Sequence, residues 1–364
     1  MNVVVKIGTS SITDERGEIA RPAIDKLTAE VAAVRGHGHR IVVVTSGAIA
    51  AGLPALGLSG ARPIDVATLQ AVSAVGQSRL MGAYDAAMAA HGLVTGQVLL
   101  APLDFMHRAQ YLHARDTLLR LLDLGVVPVV NENDAVADDE IRYGDNDHLA
   151  ALVAHLIYAD LLVLLTDITG LFSADPRLDA DASLIEEIVE FDRELEGMAG
   201  GRGTVRGSGG MASKLQAAKM ASWSGIRTVI AAATRNAVLT AAVAGEPGVG
   251  TVVRPKDRRL GARKLWIAFA TPYEGVLEVD DGARRALLER GTSLLPVGVV
   301  GVSGDFAAGD AVEIADRTGT VFAKGLVRLS AADLRAAAGR RTADLPEGAP
   351  HEVVHRDDLV LTVT

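Results

Sequence analysis

Cysteine is absent from the 364 residues, which excludes disulfides, thiolate zinc sites and a cysteine nucleophile, and fits a reducing compartment. Aromatic residues make up 4% of the chain against 49% hydrophobic residues. The core must therefore be built from Ala, Val, Leu and Ile, which suits helices covering a sheet. No basic, apolar, small-residue leader precedes the first strand-like run, "MNVVVKIG", so the expected location is the cytoplasm. One uncharged stretch, residues 41–61, is long enough to cross a bilayer. Its four glycines, one proline and three hydroxyl side chains fit a buried strand turning through a Gly-rich corner into a helix, and no membrane span is expected. Standard phosphate and metal motifs are also missing: there is no G-x-x-x-x-G-K-[ST], complete G-x-G-x-x-G, kinase catalytic loop, H-E-x-x-H or calcium loop. A P-loop enzyme and a Rossmann dehydrogenase are thereby disfavoured.

What is present is a regular alternation. Short β-branched runs recur at residues 2–7, 40–45, 94–100, 126–130, 161–166 and 228–232, with the near-continuous apolarity that a parallel strand buried on both faces requires. Helix-like segments lie between them, among them "RPAIDKLTAEVAAV" with proline in the first turn and "RAQYLHARDTLLRLLDLG" with glycine at the stop. The pattern predicts a three-layer α/β/α sandwich with a mainly parallel sheet. It breaks after Gly250, where residues 254–264 carry six basic residues against one acid. Short alternating strands with Gly-Asp turns follow. The expected organisation is a catalytic domain over 1–253, a basic linker over 254–271, a small β-rich domain over 272–352 and a C-terminal tail over 353–364. From Pro272 onward ten Lys and Arg stand against fifteen Asp and Glu. RNA is therefore not expected as the main partner.

In an open parallel sheet the ligand sits beyond the carboxyl ends of the strands. Lys6 ends the first strand and is followed by Gly8, Thr9 and Ser10; Ser46 and Gly47 follow the second. After the fourth comes "NENDAVADDEIRYGDND", residues 131–147, with seven carboxylates and three asparagines against one arginine. Thr166 and Asp167 follow the fifth. Residues 200–210 hold six glycines and feed a helical pattern whose first turn contains Lys214; backbone N–H groups at such a helix start attract phosphate. Each piece alone reads as a solvated loop, a snorkelling lysine or a helix cap. Their convergence at one edge of one sheet argues for a site.

The motifs "VVKIGTS", "VVVTSGAIAAG", "VVPVVNENDAV", "GDND", "LLTDITGLFSADPR" and "GSGGMASKLQAA", in that order, resemble the amino acid kinase family, and within it the enzymes that phosphorylate the side-chain carboxylate of L-glutamate at the start of proline biosynthesis. The later "EVDDGARRALLERGTSLLP", "GVSGDFAAGDAV" and "AKGLVRLSA" resemble the PUA domain attached to many of them. The resemblance implies transfer of the γ-phosphoryl group of ATP, with Mg2+ on the phosphates. Lys6 and Lys214 match the family's paired lysines, Lys6 also serving the nucleotide, and Asp147 the carboxylate that holds both. Asp134 matches the acceptor for the substrate ammonium. Ser46 and the N–H groups opening its helix would receive substrate carboxylate, with Asn146 as a further amide partner and Asn131 as another candidate. Thr166 and Asp167 match the nucleotide-contacting pair. Ser208, Gly209, Gly210, Met211, Ala212, Ser213 and Lys214 match the ATP loop, where relatives often carry a hydroxyl that Ala212 lacks. Asp138, Asp139 and Glu140 are expected to be solvated, and no residue is assigned to magnesium. Proline as feedback inhibitor, a homodimer or homotetramer, and glutamyl phosphate reductase as a partner follow from the same resemblance. The alternatives are another carboxylate or phosphate kinase of this fold, such as an aspartokinase, N-acetylglutamate kinase or uridylate kinase, and an RNA-linked role through the PUA-like end.

Overall fold

A computed structural model describes residues 1–362 apart from 15, 59–64, 102, 103, 106, 137–145, 175–178, 180, 192–194, 196–209, 258, 271, 272, 342, 343 and 345–349. The chain divides into two units, Met1–Arg259 and Leu260–Thr364.

The first unit carries strands β1 (Asn2–Ile7), β2 (Arg40–Thr45), β3 (Thr95–Leu100), β4 (Val127–Glu132), β5 (Leu161–Thr166), β6 (Glu187–Ile188), β7 (Arg227–Ala232) and β8 (Thr251–Val253). They form one sheet in the order β3-β4-β2-β1-β5-β7-β8-β6. Only β7 and β8 pair antiparallel. All six expected strands are there and parallel to their neighbours among themselves. Helices α1 (Thr9–Ile12), α2 (Arg21–Gly36), α3 (Ala48–Gly52), α4 (Val66–Ala89), α5 (Arg108–Asp123), α6 (Asn146–Leu156), α7 (Met211–Trp223) and α8 (Val238–Ala244) are threaded between the strands. Alternation along a strand sends successive side chains to opposite faces. Val3, Val5 and Ile7 of β1 pack with Leu27 and Val31 of α2, Leu80 and Tyr84 of α4 and Leu239 of α8. Lys6, of the other parity, faces the layer holding α6, with which β1 is in contact.

Two glycines fix how α3 meets α4. A Cβ on Gly76 would lie 1.7 Å from the Ala48 carbonyl oxygen, and one on Gly52 would lie 2.1 Å from that of Val72. The two helices therefore touch backbone to backbone. Gly47, at φ +100°, turns the chain from β2 into α3, and a Cβ there would meet Ile12 Cδ1 at 2.8 Å. The uncharged 41–61 stretch is thus β2, this turn and α3 as far as Gly52, followed by a short 3-10 turn at Pro54–Leu56, with 59–61 outside the described residues. Among the described residues no helix is long and apolar enough to cross a membrane.

The second unit holds β9 (Gly275–Val279), β10 (Val299–Gly304), β11 (Ala311–Ala315), β12 (Val321–Val327) and β13 (Val354–Leu361) in the order β10-β9-β11-β12-β13. Two expectations change here. The segment read as a tail contains β13, which pairs antiparallel with β12 and, with Val353 just before it, buries Val354 and Leu359 in the second core. The linker is shorter than expected, because Leu265 and Ile267 are fully buried in segments that pack on β12 and β13. Hydrophobic burial assigns both stretches to the second unit.

Candidate active site

β1 lies between β2 and β5, and the chain crosses from one side of it to the other between β4 and β5. Its carboxyl end is therefore a topological switch point, where loops diverge and leave a crevice. Lys6 sits level with Val44 of β2 and Leu164 of β5. Its Nζ lies 2.6 Å from Asp147 Oδ1, both side chains being almost inaccessible to water. Lys214, from the first turn of α7, reaches the other oxygen, Oδ2, at 3.0 Å. One carboxylate thus bridges two lysines from elements far apart in sequence, β1 and α7. Two further features favour its charged form. Asp147 lies in the first turn of α6, where the helix dipole stabilises an anion, and Ser213 Oγ donates to Oδ2 at 3.0 Å. The bridge sets two positive charges against one negative. His148, next in the chain, adds none at neutral pH: burial pushes its imidazole below the ordinary range, Asp147 opposing the shift and Lys6 adding to it.

Beside the bridge lies a cluster of amides. Asn146 Nδ2 donates to the Thr45 carbonyl at 2.6 Å and to Asn131 Oδ1 at 2.7 Å, with Ser46 Oγ at 3.0 Å. Asn131 Oδ1 also accepts from the Glu132 backbone N–H at 2.9 Å, and Asn131 Nδ2 donates to Gln77 Oε1 at 2.9 Å. Thr45 Oγ1 is bonded to the hydroxyl of buried Tyr84 at 2.8 Å. Burial drives the Tyr84 pKa up, so the phenol stays neutral. Asp134, half-buried after β4, accepts from Ser73 Oγ at 2.9 Å.

The residues singled out in the sequence fall into place unevenly. Lys6, Lys214 and Asp147 meet, and so do Ser46, Asn146 and Asn131. Thr166, buried at the end of β5, donates to exposed Asp167 at 3.0 Å. Gly210 precedes α7, which starts with Met211 and Ala212; Ser213 Oγ also donates to the Gly210 carbonyl at 2.8 Å. Ser208, Gly209 and the acids at 138–140 lie outside the described residues. Asn146 was expected to help receive a carboxylate. Its amino group is already committed, and the atom without a hydrogen-bond partner among the described residues is the buried oxygen Oδ1, an acceptor. Sequence reasoning missed Ser73, Gln77 and Tyr84 of α4. Their spacing, at i, i+4 and i+11 around Gly76, puts them on one stripe of the helix, but only the contact of Gly76 with α3 shows that this stripe is buried.

Comparison with known proteins follows the same division. A family model described as the amino acid kinase family matches residues 1–232, and a PUA domain model matches 275–348. Glutamate 5-kinase of Frankia casuarinae is 50% identical over 366 aligned positions, covering 99% of this chain and 96% of that protein. Those of Myxococcus xanthus and Caldanaerobacter subterraneus are 47% and 44% identical, each over 99% of this chain and 96% and 98% of theirs. Among solved structures, a carbamate kinase from Giardia lamblia bound to AMP-PNP aligns with a TM-score of 0.51 at 18% identity, covering 70% of this chain and 98% of its own. An isopentenyl phosphate kinase gives 0.50 at 20%, covering 70% and 100%. At such identities the two structures speak for the fold alone.

Proposed function

The chain belongs to the amino acid kinase family, and from that premise we infer glutamate 5-kinase activity: transfer of the γ-phosphoryl group of ATP to the side-chain carboxylate of L-glutamate, the first step of proline biosynthesis. The observation that carries the reading is the buried Lys6–Asp147–Lys214 bridge with the amide cluster beside it.

Phosphoryl transfer asks little covalent chemistry of a protein; positioning and charge neutralisation do most of the catalysis. The acceptor carboxylate is ionised at neutral pH, so no general base is needed. Lys6 and Lys214 stabilise the charge on the transferring group from two sides, already fixed before the substrate arrives. Asp147 is a positioning residue that holds both ammonium groups. The N-terminus of α7, with Gly210 and Ser213, faces the nucleotide phosphates, and Thr166 and Asp167 serve the nucleoside end. Magnesium bound with ATP would supply further charge neutralisation. Among the described residues no three His, Asp or Glu side chains are grouped to hold it.

The glutamate ammonium is taken by Asp134, oriented by Ser73, and by the free oxygen of Asn146; Ser46 and the start of α3 take carboxylate. Proline presents a similar nitrogen and carboxylate, so inhibition by proline would run through Asp134 and Asn146. Assembly into a homodimer or homotetramer, handover of the labile acyl phosphate to glutamyl phosphate reductase, and a cytoplasmic location complete the reading.

Hydroxylamine traps an acyl phosphate as a hydroxamate, so ATP-dependent hydroxamate formation with L-glutamate, L-aspartate and N-acetyl-L-glutamate tests reaction and substrate together. Product is expected with glutamate. Faster turnover of either competitor overturns the assignment. Asp134→Asn should raise the KM for glutamate and leave that for ATP unchanged.

A further inference from the structure

Helix α4 sends two polar side chains, one turn apart, into the amide cluster. Ser73 is committed to Asp134. Gln77 is only half committed: the side chain is 7% exposed, Oε1 accepts from Asn131, and Nε2 has no hydrogen-bond partner among the described residues. Buried polar atoms in native proteins are almost always paired, and an orphan calls for an explanation.

The direction of this amide chain follows from two backbone groups of fixed polarity. The Glu132 N–H can only donate, so it holds Asn131 with its oxygen inward and its amino group toward Gln77. Gln77 must then offer its oxygen to Asn131, which leaves its own amino group uncommitted. The Thr45 carbonyl can only accept, so it claims the Asn146 amino group and leaves Asn146 Oδ1 uncommitted. The cluster therefore holds one free acceptor and one free donor, joined through Asn131. The α-carbon of an amino acid bears a cation and an anion, which need those two partners.

We propose that Gln77 is a specificity-determining residue that donates through Nε2–H to the α-carboxylate of the acceptor amino acid, while Asn146 Oδ1 and Asp134 take its ammonium. The proposal rests on the glutamate reading above. It assigns the lysine bridge to the reacting end of the substrate and α4 to its recognition end. Gly76, by letting α4 approach α3 at backbone distance, brings Gln77 within reach.

Two substitutions separate donation to substrate from mere support of Asn131. Gln77→Glu keeps the oxygen that Asn131 needs and nearly the same shape, but replaces the free donor with an oxygen. Gln77→Met removes both. For each, hydroxamate formation would be measured with L-glutamate and with its α-amide, which retains the side-chain carboxylate and lacks the α-carboxylate charge, together with melting temperature. Both variants should raise the glutamate KM about 10- to 100-fold, the loss expected for one hydrogen bond to a charged group, with the ATP KM unchanged. The wild-type preference for glutamate over the α-amide should shrink in the same proportion. A Gln77→Glu protein with a wild-type glutamate KM, or a KM raised equally for both substrates, overturns the proposal. A wild-type protein that phosphorylates another carboxylate and not glutamate overturns the functional reading as well, and is recognised by that substrate profile.

Discussion

Replacing Asp147 with Asn keeps the size of the side chain and removes one negative charge from a place where two lysines meet, Lys6 at 2% and Lys214 at 6% exposure. Since they bind opposite oxygens of one carboxylate, their Nζ atoms lie roughly 5 Å apart and repel by about 3 kcal/mol at an effective dielectric near 20. In the native protein the shorter attractions to the carboxylate outweigh this. In the variant the carboxylate no longer offsets the repulsion, and breaking a buried pair typically costs ~3–5 kcal/mol. For a folding unit of this size that is a fall in melting temperature of ~6–20 °C. ATP, a polyanion, should stabilise the variant more than the wild type. Turnover should drop by about 100-fold or more, because neither lysine is held where charge develops. Calorimetric melts at pH 7, with and without ATP, and hydroxamate rates provide the test. A variant that melts within about 2 °C of wild type at pH 7 and turns over normally would refute the bridge as the organising element.

Three other outcomes are expected. Gly76→Ala should destabilise the protein and raise the glutamate KM, since its methyl would sit 1.7 Å from the Ala48 carbonyl oxygen; helix propensity alone predicts a gain of about 1 kcal/mol, so denaturant titration reads which effect wins. Burial, and secondarily the Arg259 charge, push His155 down to about 4, and this half-buried histidine, neutral in the fold, stabilises it above pH 6.5 and loses that contribution as pH falls toward 4. This amounts to about 2 kcal/mol by pH 5, and His155→Gln should flatten the dependence of denaturation midpoint on pH; an unchanged slope would contradict it. A chain ending at Arg259 should fold with a single melting transition and phosphorylate glutamate, because the first sheet and every residue of the bridge precede that point. A folded but inactive truncation would place part of the site beyond it.

The parallel strands were legible because strands buried on both faces are written in nearly unbroken Val, Leu and Ile, as in β4 and β5. β6 and β8 were not: with two and three residues each, they are too short to show a period. β13 was hidden by "HRDD" at its centre, charges that suit the edge position it occupies in its sheet. In the site, the residues that follow strand ends could be read, since the fold alone brings them together. Ser73 and Gln77 could not. A polar side chain on a helix reads as solvent-facing unless something shows that its stripe is buried, and here that depends on the contact of Gly76 with α3. Nor could sequence reveal which atom of Asn146 is left free, because that is decided by a carbonyl 101 residues away in the chain.

The position of β8 in its sheet also sets a timetable for synthesis. β8 joins β7 to β6, so the first sheet is complete once Val253 has been made, whereas β13 begins at Val354, about 100 residues later. At translation rates of ~5–20 residues per second the first unit has a lead of roughly 5–20 s. Parallel, non-local pairing is the slow kind, and here it comes first. Over the last part of that interval, from Val327 to Val354, β12 waits with an unpaired edge, the part of a nascent chain most open to wrong partners. The risk of misassembly on the ribosome therefore rests with the small β-rich unit, after the crevice for chemistry has already had time to close.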